Sequence, residues 1–202
     1  MRTLLIDAYD TLCESNIYYM RCSDDLTSWL VTLGIERAAI EMAIAHFEQQ
    51  VLPSFGYSPH GYIEALALAT GRLAIENRLE VTPELLAKAR AFWTPMVCPP
   101  MVLLPQVSET LATLTLHHRL ILVTKGDRLL QRNKLERSGL SSCFDRVHVL
   151  VEKEVSGYHE LIQQEGLDAS DTWMIGNSPK SDINPASEAG LHAIYIPYDH
   201  TW

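Results

Sequence analysis

The sequence lacks the patterns that mark several large classes of protein. No apolar run reaches the roughly 18 residues that a membrane-spanning helix needs, and the N-terminus shows no signal-sequence pattern. The four cysteines, Cys13, Cys22, Cys98 and Cys143, have no CxxC spacing, so neither a zinc site nor a disulfide framework is indicated. We therefore predict a cytoplasmic protein with free thiols and no membrane association.

Positive charge is also scarce. The chain has 16 lysines and arginines against 25 aspartates and glutamates, a formal charge of −9, and its basic residues form no block. This balance argues against a nucleic-acid partner or an anionic-membrane surface. An anionic ligand would need local stabilisation of its charge by a cation or by backbone amides. The 202 residues, 47% of them apolar, are enough for one core with a small inserted domain.

Strand and helix patterns alternate in most of the chain. The apolar run at 3–6 is typical of a strand covered on both faces, and a second series begins at Leu103. We predict strands at 120–124, 146–151, 172–176 and 192–197, and helices near 106–117, 127–138, 157–165 and 183–189. Strands that alternate with helices of this length indicate an α/β fold with a Rossmann-like parallel sheet.

The segment between these two regions has a different pattern. Residues 15–96 show helical periodicity with almost no strand signal, and proline and glycine predict a loop at 53–61. The proline-rich stretch 94–105 is a plausible return hinge. We therefore predict a core domain made of 1–14 and 97–202, with an all-helical cap inserted at 15–96.

Polar residues follow several of the predicted strands. Asp7, Thr124, Lys153 and Asn177 should share one edge of the sheet, because parallel strands place their carboxyl ends together. A carboxylate, a hydroxyl and an ammonium at one edge suit nucleophilic displacement on a phosphoryl group. Each residue alone also has an ordinary interpretation: a turn aspartate, a strand-end threonine, a solvated lysine and, at Asp182, a helix N-cap.

The chain resembles the haloacid dehalogenase superfamily, with a helical cap inserted after the first motif. The resemblance rests on "IDAYDTL", "LVTKGD", the lysine of "VEKEVSGY" and "IGNSPKSDINPASEAGL". It implies that Asp7 is the nucleophile, that Lys153 stabilises charge, and that Thr124, with Lys125 and Gly126, binds the phosphate. It also implies a magnesium ion held by Asp7, the main-chain oxygen of Tyr9 and the motif-four loop, through Asn177 and Asp182. Oxygen donors of this kind suit a hard cation.

Two positions depart from the phosphatase pattern of that superfamily. Tyr9 stands where the phosphatases have an acid/base aspartate, and on an extended segment the neighbouring Asp10 would point to the opposite face. Tyrosine hydroxyls ordinarily have a pKa of about 10, and losing a positioned acid costs roughly 10²- to 10⁴-fold in rate. Asn177 stands where an aspartate is usual, which removes one charge from the metal site.

These departures leave three interpretations. The first is a magnesium-dependent phosphatase that acts on a small phosphorylated metabolite through an aspartyl-phosphate intermediate, with Tyr9 in the acid position. The second is a slow or inactive member that binds a phosphorylated ligand. The third is a 2-haloacid dehalogenase, whose halide leaving group needs no proton. The phosphatase is favoured because "GNSPKSDI" resembles the phosphatase-like members.

Overall fold

A computed structural model describes residues 1–56, 58–93 and 101–199. The chain divides into two compact units, one made of Met1–Asn16 with Met101–Trp202 and the other of Ile17–Pro100. The core and cap boundaries inferred from the sequence stay predictions. Most of the predicted return hinge, residues 94–100, lies outside the described residues.

The first unit is built on a parallel sheet. Its strands in the described residues are β1 (Thr3–Ile6), β2 (Arg119–Lys125), β3 (Arg146–Leu150), β4 (Thr172–Gly176) and β5 (His192–Tyr195). They lie in the order β3-β2-β1-β4-β5, and every neighbouring pair is parallel. This arrangement confirms the predicted α/β fold and places β1 at the centre of the sheet.

The α-helices in the described residues of this unit are α5 (Val107–Leu114), α6 (Arg128–Ser138), α7 (Val155–Glu165) and α8 (Asn184–Glu188). The α6 helix begins where the predicted pattern does, because the Asp127 side chain accepts hydrogen bonds from the N–H groups of Leu129 and Leu130. It ends at Gly139, whose positive φ of 74° suits a helix C-terminus. In contrast, α8 is shorter than predicted, because a π-type turn at Pro179–Ile183 precedes it.

Successive residues of the strands contact opposite sides of the sheet. On one side Leu4 and Ile6 join a buried cluster with Leu111 of α5. On the other side Leu5 packs in a second cluster with Leu161 of α7. Because both faces are covered, the middle residues of β1 and β2 are apolar and buried, as expected for a parallel sheet packed on both sides.

The segment that leaves β1 pairs with the chain that returns at residue 101. Cys13 and Leu103 form an antiparallel bridge, and the Leu104 N–H donates to the Leu12 carbonyl at 2.9 Å. The Glu14 N–H donates to the Val102 carbonyl at 2.9 Å. All of these contacts lie within the first unit.

The second unit is helical in its described residues. It contains α1 (Asn16–Thr32), α2 (Arg37–Phe55), α3 (Pro59–Glu76) and α4 (Pro83–Ala91). Its buried core includes Leu26, Ile40, Leu66 and Trp93. The predicted loop at 53–61 is shorter than expected, since α2 continues through Pro53 to Phe55 and α3 begins at Pro59. Position 57 lies outside the described residues.

The described residues bear on the expectations about membrane-spanning helices and free cysteines. None of the helices there combines the length and apolar composition that a bilayer crossing requires. Cys13, Cys22 and Cys143 are free thiols, while Cys98 lies outside the described residues.

Candidate active site

Asp7 follows the central strand of the sheet. Its backbone N–H donates to the Ile175 carbonyl of β4 at 2.9 Å, which fixes the residue directly beyond the strand end. The carboxylate is buried, and its Oδ1 accepts a hydrogen bond from the Lys153 ammonium. The fold therefore holds a charged pair at the edge where parallel sheets bind their ligands.

Lys153 joins two carboxylates. It lies between β3 and α7, its side chain is 2% exposed, and its ammonium also donates to Asp182 Oδ1 at 2.7 Å. Burial acts to lower the pKa of Lys153, but the charges of Asp7 and Asp182 outweigh burial and raise it. The lysine is therefore held as a cation between the two acids.

The same surroundings also raise the pKa of Asp7, but here burial is the largest cause of the rise. Burial raises the pKa of Asp7 to about 6; the nearby Lys153 ammonium opposes this rise and the Asp182 carboxylate adds to it. Asp7 is therefore ionised at neutral pH, as a nucleophile must be, and gains a proton closer to neutrality than an exposed aspartate does.

Asp182 is positioned by the turn that follows β4. The Ser178 N–H donates to Asp182 Oδ2 at 3.0 Å, and the Asp182 N–H donates to the Ser178 carbonyl at 2.8 Å. Both carboxylate oxygens thus have donors, since Lys153 binds the other one. Asp182 does not cap α8, whose N-cap position is Ile183.

Thr11 also lies at the site, although its place in the sequence did not indicate this. Its buried hydroxyl lies 3.3 Å from Asp7 Oδ2 and 3.4 Å from Asn177 Oδ1. The only sequence signal was its place in "IDAYDTL", where an extended segment was assumed. A turn brings position 11 back to Asp7 and thereby connects the first and fourth motifs.

The end of β2 contributes the other predicted residues. Thr124 is buried there, and within the described residues its hydroxyl makes no hydrogen bond to Asp7. The Lys125 ammonium contacts Ser181 Oγ at 3.4 Å. Gly126 has a positive φ of 122°, and its N–H already donates to the Leu150 carbonyl at 3.1 Å. Their phosphate-binding role stays a prediction.

Tyr9 and Asp10 differ from the extended arrangement expected from the sequence. The Tyr9 hydroxyl hydrogen-bonds to Gln131 of α6. Asp10 has a left-handed φ of 58°, so the expected strand-like alternation fails at this residue. Its Oδ1 accepts from the N–H groups of Ser15 at 2.8 Å and Asn16 at 3.1 Å. Asp10 therefore holds the turn after β1.

The possible metal donors at this edge are oxygens from different residue types. No group of three or more His, Cys, Asp or Glu side chains that could hold a metal ion occurs among residues 1–56, 58–93 and 101–199. The side-chain oxygens available are the carboxylates of Asp7 and Asp182 and the amide of Asn177, and the role of the Tyr9 carbonyl stays a prediction. The described residues thus offer two carboxylates, with Asn177 Oδ1 and Asp7 Oδ2 approaching the same Thr11 hydroxyl.

Comparison with known families agrees with the fold. The model of the haloacid dehalogenase-like hydrolases matches residues 1–190, and the chain belongs to that family. The predicted superfamily membership is confirmed. A haloacid dehalogenase-like family hydrolase from Xanthomonas campestris is 26% identical, with a TM-score of 0.85, over 100% of this chain and 85% of that one.

Two curated relatives are phosphatases. N-acylneuraminate-9-phosphatase from Mus musculus is 32% identical over 98 residues, which cover 46% of this chain and 40% of that enzyme. Pyrimidine 5'-nucleotidase YjjG from Escherichia coli is 29% identical over 148 residues, which cover 70% of this chain and 64% of that enzyme. The chain therefore matches less than two thirds of the length of either relative.

Proposed function

We propose that the protein is a phosphatase that acts on a small phosphorylated metabolite through an aspartyl-phosphate intermediate on Asp7. The observation that carries this proposal is the buried Asp7 carboxylate, held by Lys153 at the end of the central strand. A positioned carboxylate is a nucleophile, and a neighbouring ammonium offsets charge that develops on phosphoryl oxygens. The phosphatase relatives from mouse and Escherichia coli support the same class of reaction.

The proposed reaction has two steps. The Asp7 carboxylate attacks phosphorus, and the bond between phosphorus and the leaving group breaks. Water then attacks phosphorus in the aspartyl phosphate, and the bond between phosphorus and the Asp7 oxygen breaks. The Asp7 carboxylate is restored, and the protons of the water leave with the inorganic phosphate. Lys153 stabilises the charge in both steps, and the Thr124 hydroxyl holds a phosphoryl oxygen.

The donor set fits magnesium. The Thr11 hydroxyl has one proton, yet both Asp7 Oδ2 and Asn177 Oδ1 lie within 3.4 Å of it, so hard oxygen donors converge there. Asp7, Asn177 and the Tyr9 carbonyl would hold the ion directly, and Asp182, whose oxygens bind Lys153 and Ser178, would act through water. Magnesium would supply positive charge beside the phosphoryl oxygens.

Beryllofluoride mimics an acyl phosphate and tests the proposed nucleophile. A structure of the protein with beryllofluoride and magnesium should show the adduct on the Asp7 carboxylate, and Asp7→Asn should abolish it. Kinetic assays on phosphate compounds and 2-haloacids, with and without magnesium, should show turnover of phosphate compounds only when magnesium is present.

The same assays distinguish the competing functions. Turnover of 2-haloacids without metal would replace the proposal with a dehalogenase. Binding of a phosphorylated compound without turnover of any compound would indicate a binding module. An adduct on another residue would show that Asp7 is not the nucleophile.

A further inference from the structure

The Tyr9 side chain is connected to α6 through the amide of Gln131. The Tyr9 hydroxyl contacts Gln131 Oε1, and Gln131 Nε2 donates to the Lys125 carbonyl at 2.9 Å. One glutamine thus joins the residue in the phosphatase acid position to the segment that follows β2.

These two contacts determine where the Tyr9 proton lies. A backbone carbonyl only accepts hydrogen bonds, so the amide nitrogen of Gln131 must face Lys125. The amide oxygen must then face Tyr9, and because that oxygen only accepts, the Tyr9 hydroxyl is the donor. The phenolic proton is therefore already used in a hydrogen bond to Gln131.

The surroundings keep this arrangement in place. Gly126 has no side chain, and a Cβ there would lie 2.9 Å from Gln131 Nε2, so glycine leaves room for the amide. The Lys134 ammonium lies 4.4 Å from the centre of the Tyr9 ring, on its face, which is a favourable cation–π contact. Turning the Tyr9 hydroxyl toward a substrate would break the hydrogen bond to Gln131 and the cation–π contact with Lys134.

Asp10 does not supply the missing proton donor. Its carboxylate accepts hydrogen bonds from the N–H groups of Ser15 and Asn16 and is buried. These two backbone donors hold the Asp10 carboxylate in the turn after β1. Neither Tyr9 nor Asp10 therefore presents a proton to a leaving group.

We propose that the substrates are phosphorylated compounds whose leaving group departs as a stable anion, such as acyl phosphates and phosphoanhydrides. This inference rests on the proposed function and specifies its substrate class. The Asp7 carboxylate forms the bond to phosphorus, and the bond from phosphorus to the carboxylate or phosphate leaving group breaks. The electron pair leaves with that group, so no proton is transferred in this step. Simple alkyl phosphates would release an alkoxide and need an acid.

A leaving-group series tests the inference on the wild-type protein. We would measure kcat/KM with magnesium for acetyl phosphate, for aryl phosphates of increasing phenol pKa and for alkyl phosphates. The expected result is a fall of about 10²- to 10⁴-fold from acetyl phosphate to the alkyl phosphates, the range that a positioned acid contributes. Similar kcat/KM values for both classes would overturn the inference.

Tyr9→Asp provides a second test, because it places a carboxylic acid where the tyrosine stands. The ratio of alkyl to acyl phosphate turnover should rise at least tenfold, within the range of acid catalysis. Asn133→Asp adds a carboxylate at an exposed position of α6, the helix that carries Gln131, and is the matched control. A folded Tyr9→Asp protein with the same ratio as Asn133→Asp would overturn the inference, and melting curves check the fold of both.

The outcomes separate this inference from the proposed function. Uniform turnover of all phosphate compounds, with a beryllofluoride adduct on Asp7, would overturn the leaving-group inference alone. If Lys134→Met then lost only alkyl phosphate turnover, Lys134 would be the acid. Absence of both turnover and the Asp7 adduct would overturn the proposed function and the inference together.

Discussion

The Asp182 carboxylate occupies the space that a side chain at Gly176 would need. A Cβ built on Gly176 would lie only 2.4 Å from Asp182 Oδ2. Asp182 cannot move away without breaking its hydrogen bonds to Lys153 and to the Ser178 N–H. The last residue of β4 therefore has to be glycine for the second carboxylate to reach the site.

Gly176→Ala should reduce both stability and activity. Overpacking a buried position typically costs about 1 to 3 kcal/mol, and here the displaced group is a charged one. Gly71→Ala in α3 is the control, because a Cβ there would meet Leu86 at an ordinary 3.5 Å. That change should be neutral or stabilise by about 0.5 to 1 kcal/mol. Denaturant unfolding measures the stability of both variants, and equal midpoints for the two would contradict the steric argument.

Lys153→Met should strongly destabilise the protein. It leaves the buried carboxylates of Asp7 and Asp182 without their shared cation, and breaking a buried ion pair typically costs about 3 to 5 kcal/mol. Lys180→Met changes an exposed lysine and should have little effect. The double variant with Lys153→Met and Asp182→Asn should regain part of the lost stability, measured by chemical denaturation. No recovery would show that charge is not the cause.

The raised pKa of Asp7 predicts a pH dependence of stability in metal-free protein. The folded state binds this proton with a pKa of about 6, above the 3.8 of an ordinary aspartate, so it holds more protons than the unfolded state between these values. The contribution of Asp7 to the free energy of unfolding is therefore largest below about pH 4 and falls as pH rises through about 6.

Asp7→Asn isolates this contribution. The difference in unfolding free energy between wild type and Asp7→Asn, measured from pH 4 to pH 7.5, should decrease with rising pH and level off above the folded pKa. An increase over that range would mean that the Lys153 ammonium lowers the pKa of Asp7 more than burial raises it.

Asn177→Asp should tighten magnesium binding. The added carboxylate brings a negative charge to the place where Asn177 Oδ1 approaches Thr11, and calcium and magnesium sites strengthen with ligand charge. Calorimetry should show a lower Kd for Asn177→Asp, while Asn184→Asp, at an exposed position nearby, should bind as wild type does. Equal tightening in both variants would indicate a general charge effect.

The sequence predicted the features that depend on the alternation of strand and helix patterns and on the order of these elements along the chain. The strand after Met1, the α/β series and the shared edge for Asp7, Thr124, Lys153 and Asn177 follow from apolar runs and parallel connections. Asp182 was indicated by the family resemblance alone. Thr11 could not be predicted in the same way, because its contact with Asp7 depends on the left-handed backbone at Asp10. The contact between Tyr9 and Gln131 could not be predicted either, because Gln131 is 122 positions away and reaches Tyr9 only through the packing of α6.

The antiparallel bridge between Cys13 and Leu103 has a consequence for how the chain can change. The bridge closes the intervening segment at its base, and the closure entropy of such a loop grows only as the logarithm of its length, about 0.6 kcal/mol per doubling. Insertions, deletions or a wholesale exchange of that segment therefore cost the sheet little. The edge of the sheet that carries Asp7 can stay unchanged while the intervening segment diverges.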